Sequence, residues 1–254
     1  RFACLQATRE ANAAARALFD AGAQEVVVWD AHGTGVNLQY DLLDPRCRIL
    51  LGSGHRGRFA GMDKSYTAVL FIGYHARENT SRAVLAHTFC STAFQYYKLD
   101  GKEAGELAID AAYAGELGVP VLFCAGDDAC VAEARALFPG LAAVVTKEAL
   151  SWTSALSRHP QAVCDDIYRT VRAAVPGAGT LVPYCMPGPL SVEIRYKRME
   201  DAARAAPYER DGRRVGQAGR LGSRARRSPD HQNRHSLADG AGQHPGKADA
   251  VLQT

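Results

Sequence analysis

The sequence predicts an α/β protein: a layered, mostly parallel sheet flanked by helices, with the start of a smaller C-terminal α+β unit. Three observations predict it. Residues 25–29, 68–72 and 119–124 are short aliphatic or β-branched runs of the kind that forms strands buried on both faces. Helical patterns lie between and after them. Each run also stops at a cluster of glycine and polar residues, Asp30-Ala31-His32-Gly33, Gly73-Tyr74-His75 and Gly126-Asp127-Asp128, as a strand does when it feeds a loop at a sheet edge.

Taken in order, residues 8–22 place Ala11, Ala14, Ala15, Leu18 and Phe19 on one helical face, with Gly22 as the stop. The strands at 25–29 and 68–72 follow. Residues 88–99 are rich in aromatic and β-branched side chains and reach Asp100-Gly101, a turn signal, after which 102–117 has a helical pattern. Beyond the strand at 119–124, helices are expected at 129–137 and 161–174, with a strand at 142–145 between them. Residues 176–189 form a Gly/Pro-rich break. Residues 190–196 then alternate apolar and polar, as in a half-exposed strand that opens a second unit. The expected organisation is an α/β domain over 1–186, a partial C-terminal domain over 187–215 and a tail over 216–254.

Charge supports that division. The net charge of +3 arises from residue 201 onward, where ten basic residues face six acidic ones and the preceding 200 residues are balanced. That last segment has one aromatic, Tyr208, and no Ile, too little apolar surface to offset the entropy of ordering it. It is expected to be a disordered tail or the product of a shifted reading frame. No apolar run long enough to cross a bilayer occurs, and the seven scattered cysteines contain no Cys-x-x-Cys pair, so neither a membrane span, a disulfide framework nor a zinc finger is indicated. The expected location is the cytoplasm.

The residues that could carry chemistry are His32, His75, His87, Glu106 and the pair Asp127 and Asp128. Singly, each has an ordinary explanation. A His after a strand serves in turns, Glu106 suits the first turn of a helix through the helix dipole, and Asp127-Asp128 suits a helix cap. Together they are the imidazole and carboxylate ligands that zinc takes in hydrolytic sites, and three of them end elements that could converge at one sheet edge. A further His would supply a proton or a nucleophile. No His-Glu-x-x-His, no phosphate-binding glycine loop and no Gly-x-Ser-x-Gly elbow is present. The residues alone leave a metal hydrolase and a non-catalytic α/β module or degenerate subunit binding a small molecule both open.

Five blocks bear a closer resemblance. They are 25–32 (EVVVWDAH), 71–77 (FIGYHAR), 86–88 (AHT), 105–107 (GEL) and 119–128 (VPVLFCAGDD). In this order they resemble the DppA family, the D-aminopeptidases of the dipeptide-permease operon, over residues 8–199. The resemblance implies a zinc aminopeptidase acting on short peptides with an N-terminal D-residue, of the D-Ala-D-Ala type. It also implies two zinc ions per subunit and a self-compartmentalising ring of subunits. Carried over residue by residue, His32, His75 and Glu106 match metal ligands and His87 the catalytic nucleophile or acid/base. Asp127 and Asp128 match no ligand position.

Two departures follow from the same comparison. The family begins with a strand bearing Ser-x-Asp-x-Glu-Gly, whose carboxylates are ligands, and residues 1–10 contain no match. The expectation is a chain truncated at the N-terminus that holds at most one zinc and has impaired activity. After Met199 the family's compact C-terminal domain gives way here to the aberrant tail. Binding of nucleic acid through its arginines is the least favoured reading, and neither a nucleic-acid nor a membrane partner is expected.

Overall fold

The computed structural model describes residues 2–55, 57–205, 209–210, 213–214, 221–224 and 250–253. The chain begins with α1 (Phe2–Asp20), β1 (Val26–Trp29), β2 (Arg48–Leu50) and β3 (Ala68–Tyr74). A hairpin of β4 (Phe94–Leu99) and β5 (Lys102–Glu103) precedes α2 (Glu106–Glu116), β6 (Val121–Asp127) and α3 (Asp128–Leu137). Then come β7 (Ala142–Ser151), β8 (Ser154–Ser157), α4 (Pro160–Ala174), β9 (Ser191–Tyr196) and α5 (Met199–Ala205). The last described pieces are β10 (Glu209–Arg210), β11 (Arg213–Arg214), β12 (Leu221–Arg224) and β13 (Ala250–Gln253).

Among the described residues a seven-stranded sheet runs in the order β2-β1-β13-β3-β6-β7-β8, parallel except for β8. Period-two alternation explains its two cores. Ala68, Leu70 and Ile72 of β3 face α1 and α4, where they meet Ala11, Ala14, Leu18, Val163 and Ile167. Val69 and Phe71 face the opposite side and meet Leu107, Ala111, Cys130 and Ala134 of α2 and α3. A strand covered on both faces needs apolar residues at every position, which is why β3 is an unbroken run.

The expectations for 68–72, 119–124 and 161–174 agree with this architecture. Two others are corrected. Lys102 and Glu103 pair with Leu99 and Lys98 rather than starting a helix. Asp100 and Gly101 adopt φ of 49° and 79°, the left-handed pair of a tight hairpin turn, and α2 begins only after Gly105. The second correction concerns the tail. Most of 216–254 lies outside the described residues, but Ala250–Gln253 form the central strand β13, parallel to β1 and β3, with all four side chains buried. Ala250 and Leu252 enter one core and Val251 the other, so these residues do bury apolar surface.

A second, antiparallel sheet has the order β12-β9-β4-β5. The strand expected to open a separate C-terminal unit, β9, therefore pairs with β4.

Candidate metal centre

The parallel strands β1, β13, β3 and β6 all point their carboxyl ends at one edge. His32 follows β1, Gln253 closes β13, His75 follows β3, and the first residue of α2, Glu106, faces the same place. A cavity of about 350 Å³ there is lined by His32, Arg58, Tyr74, His75, His87, Phe89, Glu106 and Gln253. Parallel α/β sheets present their binding crevices at this edge.

His75 and His87 stack with ring centroids 3.9 Å apart. Nδ1 of His75 lies 3.0 Å from the carbonyl oxygen of Ala76, and Nδ1 of His87 lies 2.6 Å from that of Leu85. A carbonyl only accepts, so each Nδ1 carries a proton, and in the neutral ring Nε2 presents a lone pair. Those lone pairs lie 3.5 Å and 3.6 Å from Oε1 of Glu106. Burial is the main influence holding the His75 imidazole below its ordinary pKa, against the pull of Glu106, and it favours the neutral ring. With both rings neutral, three acceptors converge without a donor among them. Repulsion of this kind is relieved by a shared cation, and among the described residues this is the one group of three whose ligand atoms all lie within 4.8 Å of each other.

Two imidazoles and a carboxylate are the donors zinc takes, with an open position for water or substrate. The residues therefore fit the ion.

The local sequence explains how the site is held. Gly105 caps α2 where an added Cβ would stand 2.7 Å from both Arg77 Cβ and Glu133 Oε1, so only glycine brings Glu106 to this place. Glu106 Oε1 also accepts from Phe89 N–H at 2.7 Å. The loop carrying His87 is fastened at several points. Asp127 accepts from Val84 N–H at 2.7 Å, Leu85 N–H donates to Trp152 O at 2.9 Å, and Trp152 Nε1–H donates to Ala86 O at 3.0 Å. Asp127 also caps α3 by accepting from Cys130 N–H, and Asp128 accepts from Ala149 N–H. Asp127 thus acts as a cap and loop anchor, and Asp128 ties α3 to β7.

Of the residues named from sequence, His75, His87 and Glu106 meet. His32 lines the same cavity but stands outside the tight group. Its loop is clamped by Asp30, whose carboxylate accepts from Asn37 N–H, Asn37 Nδ2, Leu38 N–H and Tyr40 OH. Burial works to raise the Asp30 carboxyl, and these four bonds overcome it and hold the group below the usual carboxylate range. Sequence reasoning missed Arg58, Asp110 and Gln253. Asp110 had a signal: it lies four residues after Glu106, on the same helical face, as a carboxylate amid alanines.

A mostly parallel sheet with a histidine and carboxylate cluster at its carboxyl edge defines an α/β protein with a candidate metal site of the donor types that hydrolases use. Peptidase family M55, described as D-aminopeptidase, matches residues 1–218, and the chain belongs to that family. A D-aminopeptidase of Bacillus subtilis (strain 168) is 34% identical over 145 residues, 57% of this chain and 52% of that protein. The chain thus spans about half the length of this curated relative. Among solved structures, the Zn-dependent D-aminopeptidase DppA from Bacillus subtilis, a self-compartmentalizing protease, superposes with a TM-score of 0.76 at 25% identity. The match covers 85% of this chain and 79% of that one.

Proposed function

We propose that this chain is a zinc-dependent aminopeptidase acting on short peptides with an N-terminal D-residue, of the D-Ala-D-Ala type. The observation that carries the reading is the convergence of His75 Nε2, His87 Nε2 and Glu106 Oε1 at the carboxyl edge of the sheet. Membership of the D-aminopeptidase family supports the substrate class. We further propose a homo-oligomer, by likeness to the self-compartmentalizing relative, in a reducing compartment such as the cytoplasm, in keeping with seven unpaired cysteines.

When bound, zinc would polarise the scissile carbonyl and lower the pKa of a water molecule. In this reading His75 and Glu106 hold the ion, with His32 completing the set from the adjoining loop. His87, through Nε2, takes the proton of the attacking group and returns it to the leaving amine. The anchors from Asp127 and Trp152 keep His87 against Glu106 through that exchange. His75, Glu106 and His32 make one ligand set among the described residues, in keeping with one ion per chain, and a single ion serves either the attacking or the leaving group but not both. Turnover below that of a two-ion enzyme is therefore part of the proposal.

One observation favours a second assignment: His87, and not His32, lies within reach of the pair. Zinc titration against a chromophoric chelator decides. Loss of either ligand, His75→Ala or Glu106→Ala, is expected to weaken zinc binding by roughly 10- to 100-fold or more. If His87 is the catalyst, His87→Ala keeps near wild-type affinity but abolishes D-Ala-D-Ala hydrolysis, and His32→Ala loses affinity. The opposite pattern makes His87 a ligand. Wild-type protein that binds no zinc overturns both assignments.

A further inference from the structure

Arg58 stands in the wall of the same cavity. Its Nε donates to Asp110 Oδ1 at 2.7 Å and its Nη2 to Asp110 Oδ2, a parallel fork that fixes the plane of the guanidinium. The aromatic rings of Trp29 and Phe89 flank it, with Cζ 5.0 Å and 5.7 Å from their centroids. Asp110 is fully buried and also accepts from Tyr74 OH at 2.7 Å and Gln253 Nε2 at 3.0 Å, so it is saturated and cannot move to serve anything else. Asp110 thereby fixes Arg58 from behind. Among the described residues, the hydrogen bonds of Arg58 use Nε and Nη2 and leave Nη1 without a partner.

A structural ion pair alone would need only the two nitrogens already engaged. A rigid guanidinium with a spare edge, lining a cavity that also holds the His75, His87 and Glu106 cluster, is a preorganised anion site. The cavity, about 350 Å³, is at the small end of ligand pockets. In a short peptide whose scissile carbonyl lies at that cluster, the anion within such a space is the C-terminal carboxylate.

We propose that Arg58, through Nη1, binds the free C-terminal carboxylate of the substrate and so restricts the site to very short peptides. This rests on the aminopeptidase reading above. The subsite explains why a half-buried arginine is held along one edge by Asp110 and flanked by Trp29 and Phe89 while Nη1 stays open.

The test is calorimetric titration of the zinc-loaded protein with an uncleavable D-alanyl-D-alanine isostere, its peptide carbonyl reduced to methylene, as the free acid and as the C-terminal amide. The acid is expected to bind roughly 10- to 100-fold more tightly than the amide, the range for a hydrogen bond between charged groups. In Arg58→Gln, and in Arg58→Lys, which keeps a cation beside Asp110, the gap should shrink to about 3-fold or less. Equal binding of acid and amide by wild type overturns the subsite and leaves the peptidase reading standing. Failure to bind either form overturns both. A full gap surviving in Arg58→Lys also overturns the assignment to Arg58.

Discussion

Replacing Asp30 by alanine isolates the clamp that holds the His32 loop against the end of β1. Asp30 is 1% exposed and accepts four hydrogen bonds. The side chains of Asn37 and Tyr40 are only partly buried and can turn to water. The N–H groups of Asn37 and Leu38 cannot, and two stranded backbone donors at about 1–3 kcal/mol each give roughly 2–6 kcal/mol of destabilisation. That is a large share of a typical total of about 5–15 kcal/mol. Urea unfolding at pH 7 should show a lower midpoint with an unchanged slope. The pH dependence has a definite sign. Because the folded carboxyl sits below its ordinary range, its contribution is present above the unfolded pKa and is lost as the pH falls through the folded value. The gap between wild type and Asp30→Ala should therefore narrow in acid below about pH 4. A variant within 0.5 kcal/mol, roughly the spread of neutral surface changes, would show that the loop is not held by this carboxylate.

Glu10 is buried on α1, and burial raises its carboxyl, with Gln6 and Lys147 offsetting this only in part. A raised carboxyl favours the fold below the unfolded pKa and loses that contribution as pH rises, so Glu10→Gln should melt higher than wild type at pH 7 and equal to it near pH 3–4. A lower melting point at pH 7 would contradict this. Leu252 is fully buried between β1 and β3, and Leu252→Ala should cost about 2–5 kcal/mol in urea unfolding, whereas a disordered terminus would give no change. Trp152→Phe keeps an aromatic ring but removes the donor to Ala86 O. It should slow D-Ala-D-Ala hydrolysis roughly 10-fold through a loosened His87 with little change in melting temperature, and an unchanged rate would remove Trp152 from the positioning of the site.

The parts of the fold that were legible are those whose burial imposes a local pattern. β3 could be read because cover on both faces demands an unbroken apolar run, and α4 because one face alone is buried. β13 could not. Four residues have no period to detect, and their partners, Ala68–Phe71 and Val26–Trp29, lie at the far end of the chain. The β4–β5 turn was marked by Asp100-Gly101, yet the helical composition that follows masked the two residues returning from it. At the candidate site, His75 stood out because it immediately follows a strand end, and Glu106 because a carboxylate suits the first turns of the helix expected there. His32 was visible for the same reason as His75, although the tight cluster takes His87 in its place. Arg58 lies in a glycine-rich loop and Gln253 at the end of β13, and their roles arise only when tertiary packing brings both to Asp110.

In the proposed function, two imidazoles and one carboxylate at the sheet edge hold zinc. X-ray absorption at the zinc edge, on protein loaded with one equivalent and dialysed, tests it most directly. The expected result is about one retained ion with a shell of nitrogen and oxygen near 2.0–2.1 Å and outer scattering from two imidazoles, the imidazole signal falling by half in His75→Ala. Zinc lost on dialysis, or a shell dominated by sulfur near 2.3 Å, would contradict it.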